Sequence, residues 1–171
     1  MMPAPSAMHA APFPAARTRS GAGLRTWSIR WLYAAVALHL LVGLLLPRVA
    51  AHPLLDGYHA GIEAAFYGPA APPAARSHQL WWMALFGATV QAAAVWMGAP
   101  VWLGARGRLP FAWVALGAGL VLWAPQDIAV SLQAGCWSHV WLDTLALVAM
   151  LPPLVYLFVH DRRDNKHEVT A

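Results

Sequence analysis

Charge is scarce in this chain. Only 11% of its 171 residues are Asp, Glu, Lys or Arg, against about 25% in an ordinary soluble domain. That shortage argues against a water-solvated surface. Lysine is almost missing: Lys166 is the one lysine among 11 basic residues, the rest being arginine. The arginines lie beside apolar runs and form no single basic patch, which argues against nucleic acid as a partner. Cysteine is limited to Cys136, so there is no intrachain disulfide, no CxxC pair and no Cys/His zinc framework. The HExxH metalloprotease pattern is absent as well.

Apolar sequence fills the space that charge leaves. Hydrophobic residues make up 60% of the chain, and the mean hydropathy is +0.51. Four runs are long enough to cross a bilayer: 29–46, 80–97, 111–132 and 139–159. Eighteen residues at 1.5 Å per residue reach about 27 Å, close to the hydrocarbon thickness. The first run is long for the apolar region of a signal peptide and reads as a span. The expectation is an all-α integral membrane protein. It is a four-transmembrane-helix bundle with an external amphipathic helix between spans 1 and 2, in the loop 47–79. An Ala/Pro-rich tail (1–26), without hydrophobic periodicity, should be disordered, and a short tail (161–171) closes the chain.

Basic residues orient the spans. Arg17, Arg19, Arg25, Arg30, Arg106, Arg108, Arg162, Arg163 and Lys166 fall on one side, and Arg48 and Arg76 on the other. The positive-inside rule then puts both termini in the cytoplasm of a bacterial inner membrane. Tryptophans at the span ends, such as Trp27, Trp31, Trp81, Trp82, Trp137 and Trp141, agree with these boundaries. Pro47 should close the first span. Pro125, Pro152 and Pro153 should free the carbonyls of Val121, Val148 and Ala149, which must then be satisfied inside the bundle. Ala84, Ala88, Ala92, Gly117 and Gly119 are the expected close-contact residues.

Polar residues inside such sequence are costly and mark candidate sites. Asp127, His139 and Asp143 should converge at the outer end of spans 3 and 4, with Gln126, Ser131, Gln133 and His78 at similar depth. Two nearby carboxylates, with Glu63 as a third, suit general acid work or a polar binding pocket. In the loop, His52, Asp56, His59 and Glu63 recur at helical spacing and would share one face, opposite Leu55, Tyr58, Ile62 and Phe66. That face suits water, a docking partner, or zinc or iron. Deeper in the first span, His39 could bond Gln91 or act as a haem ligand. Cys136 reads as an incidental small residue, and Arg162 and Arg163 as an anchor with a lipid-headgroup contact as the alternative.

Three stretches carry a resemblance: WAPQD (123–127), SLQAGCWSHVWLD (131–143) and YHAGIEAAFYG (58–68). Together they resemble small proteobacterial inner-membrane proteins often labelled "cell division protein", over residues 31–160. The resemblance implies an envelope role and carries over no functional residues. The expected function is an accessory membrane protein whose outer polar pocket takes a membrane-protein partner, a second copy or a small ligand. The alternative is a membrane enzyme, or a metal or haem protein, acting on a lipid-like or quinone-like substrate.

Overall fold

A computed structural model of the protein describes residues 19–169, with side chains described from 22 to 166. The Ala/Pro-rich stretch 1–18 lies outside the described residues. Five α-helices follow one another: α1 (Arg19–Val49), α2 (Asp56–Tyr67), α3 (Pro73–Gly107), α4 (Pro110–Gln133) and α5 (Trp137–Val169). A single 3-10 turn at Pro53–Leu55 precedes α2, and no strand occurs among the described residues. α1, α3, α4 and α5 are long and apolar enough to cross a membrane. The protein is an all-α, multi-pass membrane protein.

The spanning helices are longer than hydropathy alone suggests. α1 continues through Pro47, and α3 through Pro100. α3 starts at Pro73, seven residues ahead of the expected 80, because a proline in the first turn needs no amide partner. α5 runs on through the expected tail to Val169. The α3–α4 connection shrinks to Arg108 and Leu109, with Arg108 left-handed at φ 47°. Asp164 pairs with the Arg108 guanidinium, and Asn165 donates to the Arg108 carbonyl, so the end of α5 holds this turn.

At the other end of the molecule, Ala134 and Gly135 turn α4 into α5. Cys136 N–H donates to Ser131 O at 2.8 Å and Gly135 N–H to Leu132 O at 3.1 Å. This pair of bonds closes a Schellman cap, and it requires the left-handed φ of 70° that glycine supplies at 135.

Each proline inside a helix removes one helical hydrogen bond, and two of the freed carbonyls are met from another helix. Pro47 frees Gly43 O, which accepts from Gln91 Nε2 on α3 at 3.0 Å. Pro153 frees Ala149 O, which accepts from the Trp31 indole on α1 at 3.0 Å. The expectation for Ala149 holds. Gln91, by contrast, does not pair with His39, whose Nδ1 lies 2.8 Å from Ala35 O in its own helix.

Close approach comes from other small residues than expected. A Cβ on Gly43 would lie 2.7 Å from Gln91 N, and one on Gly87 would lie 2.8 Å from the Pro47 ring. Those two glycines let α1 and α3 touch backbone to backbone, the most extensive pairing in the molecule, followed by α4 with α5. Gly117 and Gly119 have nothing within 4 Å where a Cβ would stand, and Ala88 is exposed.

The core lies toward the end that carries the chain termini. Leu32, Val101, Trp113, Met150, Leu154 and Leu157 form it, drawn from all four long helices. Beneath it Asp161, fully buried, accepts from Arg25 Nε at 2.8 Å, Arg25 Nη2 at 3.1 Å and Trp113 Nε1 at 2.9 Å. Arg25 also reaches Gly104 O and Ala105 O. The Trp113 ring needs Gly104, where a Cβ would stand 2.5 Å from it. One buried ion pair therefore ties all four spanning helices together at this end. Outside the core, large apolar side chains face outward along every span, including Trp96, Leu122, Val130 and Leu145. Such continuous apolar surface suits lipid and not water.

Candidate functional site

The opposite end, built from α2 and the α4–α5 turn, gathers the polar residues. α5 leaves the Schellman cap with Cys136, His139 and Asp143 following at helical spacing. Tyr58 on α2 reaches across to α5, its Oη 2.6 Å from His139 Nε2, with the two rings 5.6 Å apart. Burial, then the neighbouring Cys136 and Asp127, raises the Tyr58 phenol above its ordinary range, so it keeps its proton. The protonated phenol can donate to His139 Nε2 or accept from it, according to the imidazole tautomer.

Asp143 is 6% exposed, and its Oδ2 has no hydrogen-bond partner. Asp127 and His139 both lie within electrostatic reach of it. Among the described residues neither Asp127 nor Asp143 joins an ion pair. The arginines at this end are engaged elsewhere: Arg76 binds Glu63 and Asp56, and Arg48 donates to Leu44 O. Of the expected cluster, Asp127 and His139 lie within electrostatic reach of Asp143. Glu63 does not join it. Its carboxylate is held below the ordinary range mainly by the hydrogen bond from Arg76, and it fixes α2 against the start of α3.

His59 is the buried residue of α2. Its Nε2 lies 2.7 Å from Ala50 O and carries a proton toward it, while Nδ1 is buried with no partner. Gln79 on α3 also holds both amide atoms buried without partners. Orphaned polar atoms are uncommon in native interiors, and here every one, among the described residues, belongs to His59, Gln79 or Asp143.

Beside Asp127 a groove of about 530 Å³ opens along α3 and α4, lined by Phe86, Gly119, Leu122, Trp123, Gln126 and Val130. Gln126 turns back to Leu122 O in its own helix. The groove is apolar except for Gln126 and Asp127.

The four loop residues considered for zinc or iron do not form one donor set. His52 lies before the 3-10 turn and accepts from Leu54 N. Asp56 and Glu63 are bound to Arg76, while His59 points inward to Ala50. No group of three or more His, Cys, Asp or Glu able to hold a metal occurs among the described residues. The shared face fails because the helix begins only at Asp56, and because His59 is buried while the supposedly apolar Phe66 is exposed. His39, the candidate haem ligand, is held by its own helix. His78 stays outside the cluster, accepting from Trp82 Nε1 and stacking on Trp81.

Tyr58 escaped the reading of the sequence because its helical spacing groups it with Leu55 and Ile62. Comparison of the chain with protein-family models, curated proteins and solved structures finds no match.

Proposed function

We propose that this is an accessory protein of a bacterial inner membrane, acting in envelope or cell-division processes. In this reading the four spans form a bundle with both termini cytoplasmic. α2 lies on the periplasmic side as an external helix over a polar pocket built from Tyr58, Asp127, His139 and Asp143. The pocket takes a small ligand or a membrane-protein partner, including a second copy. The nine-to-two partition of basic residues supports the orientation. The resemblance of 58–68, 123–127 and 131–143 to the "cell division" group supports the setting.

The observation that carries the pocket is the buried, donorless Oδ2 of Asp143 beside Asp127, at an end where both arginines are engaged elsewhere. A buried carboxyl oxygen without a partner costs about 1–3 kcal/mol, so a chain carrying one trades stability for a binding group. Asp143→Asn tests this. The substitution should raise the melting temperature in detergent by a few degrees, at about 2–4 °C per kcal/mol for a chain of this size. It should also fail to restore envelope integrity to a deletion strain. A variant unchanged in both measurements refutes the pocket.

A further inference from the structure

We infer that α2 is a lid over a closed polar site, and that this site takes a small cation bearing N–H groups, a protonated amine, when α2 swings away. The inference rests on the pocket reading above and adds how the site is reached and what enters it.

Helical register brings the unpartnered groups beneath α2. Arg76, in the first turn of α3, holds Asp56 and Glu63 of α2, and Gln79 follows it one turn deeper along the span. On the other side Tyr58 of α2 meets His139 in the first turn of α5. Asp143 follows His139 one turn deeper, on the same face. His59, next to Tyr58 and between the two acids held by Arg76, is the residue that α2 buries. So α2 rests on the first turns of α3 and α5. The Gln79 amide, Asp143 Oδ2 and His59 Nδ1, all closed to solvent, share the layer below. Buried polar groups require partners, and here three helices contribute such groups to one layer.

Asp143 sets the chemistry of the occupant. Its Oδ2 needs a donor, Asp127 lies within electrostatic reach, and Arg48 and Arg76 are engaged elsewhere. The donor that gains most is therefore a cation with N–H groups, and Gln79 Oε1 accepts a second N–H.

What holds α2 down is polar. Its attachments are the Arg76 ion pairs, the Tyr58–His139 hydrogen bond and the contact of His59 Nε2 with Ala50 O. Ile62, half-buried, is the only aliphatic side chain that α2 does not expose. Short non-helical segments join α2 to α3 through Gly68, at φ 64°, and to α1 through Ala50 and Ala51. A segment with so little apolar burial opens locally while the rest stays folded.

The test reads the reactivity of Gln79→Cys in the full chain in detergent, with Cys136→Ser removing the native thiol. The probes are aminoethyl and sulfonatoethyl methanethiosulfonate, each rate taken relative to Ala60→Cys on the exposed side of α2. Gln79→Cys should react far more slowly than that control. Tyr58→Phe and Arg76→Met should each raise its rate by roughly tenfold, the worth of one hydrogen bond. Hydrogen exchange in α3 and α5 should stay unchanged, which separates lid opening from unfolding. The aminoethyl reagent should outpace the sulfonatoethyl one by on the order of tenfold, and Asp143→Asn should reduce that preference. Reaction as fast as the control with α2 intact overturns the closed site. A rate unmoved by both variants, or moved together with exchange in α3 and α5, overturns the lid. No charge preference, or the opposite one, overturns the cationic occupant. If the lid and the preference fail while Asp143→Asn still raises stability and loses function, the pocket reading stands alone. If Asp143→Asn is silent as well, both readings fall.

Discussion

Asp161→Ala is the sharpest perturbation of the folded state. Asp161 is fully buried and Arg25 is 14% exposed, so little solvent is available to replace the lost carboxylate. The substitution strands the guanidinium and the Trp113 indole N–H, which donate three bonds to Asp161 at 2.8, 3.1 and 2.9 Å. Removing one partner of a buried pair typically costs about 3–5 kcal/mol. The carbonyls of Gly104 and Ala105 still accept from Arg25 and hold the loss toward the lower figure. About 3 kcal/mol corresponds to a drop of roughly 6–12 °C for a chain of this size. The double variant Arg25→Met with Asp161→Leu removes both charges and keeps apolar volume, so it should recover most of that loss. The assay is a thermal melt in detergent, read by the monodisperse fraction on size-exclusion chromatography, for wild type, both single variants and the double variant. Additive losses, with no coupling between the two sites, would refute the ion pair as the element joining the helices at this end.

Three further outcomes follow from the same packing. Gly43→Ala and Gly87→Ala should each cost about 1–3 kcal/mol, since the added methyl meets atoms of the opposing helix at under 3 Å. Gly117→Ala, facing open space, should be neutral or slightly stabilising in the same melt. Trp31→Phe removes the donor to the Ala149 carbonyl and should cost about 0.5–1.5 kcal/mol, the net worth of one hydrogen bond. The Glu63–Arg76 pair sets a pH response. Because Arg76 depresses Glu63 below its ordinary value of 4.5, the pair supports α2 above that pH and is lost as pH falls through the depressed value. Protection of the α2 amides, taken relative to the intrinsic exchange rate at each pH, should fall as pH drops below 4.5 and stay constant above it; unchanged protection at pH 3 would contradict the pairing.

The spans were legible in the sequence because a bilayer demands about 20 apolar residues, and that demand is local. Their ends were not, because Pro73 and Pro110 open helices while Pro47 and Pro100 sit inside them, and residue type does not separate the two uses. Depth along a span brought Asp127 and His139 within electrostatic reach of Asp143. It failed for His39 and Gln91, since equal depth does not say which way a side chain turns. Arg25 counted only as an orientation charge, because its partner Asp161 lies 136 residues away. The metal reading of the loop assumed four free side chains, whereas Arg76, twenty residues from Asp56 and thirteen from Glu63, takes both acids, and His59 turns inward to Ala50 O.

The bonds from α1 to α5 also bear on biogenesis. Arg25 and Trp31 are made early, and their acceptors, Asp161 and the Ala149 carbonyl, are made last. Until α5 enters the bilayer, the Arg25 guanidinium has only the Gly104 and Ala105 carbonyls and no counter-charge, and the Trp31 indole N–H lacks its acceptor. α1 and α3 can pair first, through Gly43, Gly87 and Gln91. The first helix is therefore finished by the last, and a nascent chain stopped before α5 is left with an arginine lacking its counter-charge near the start of its first span.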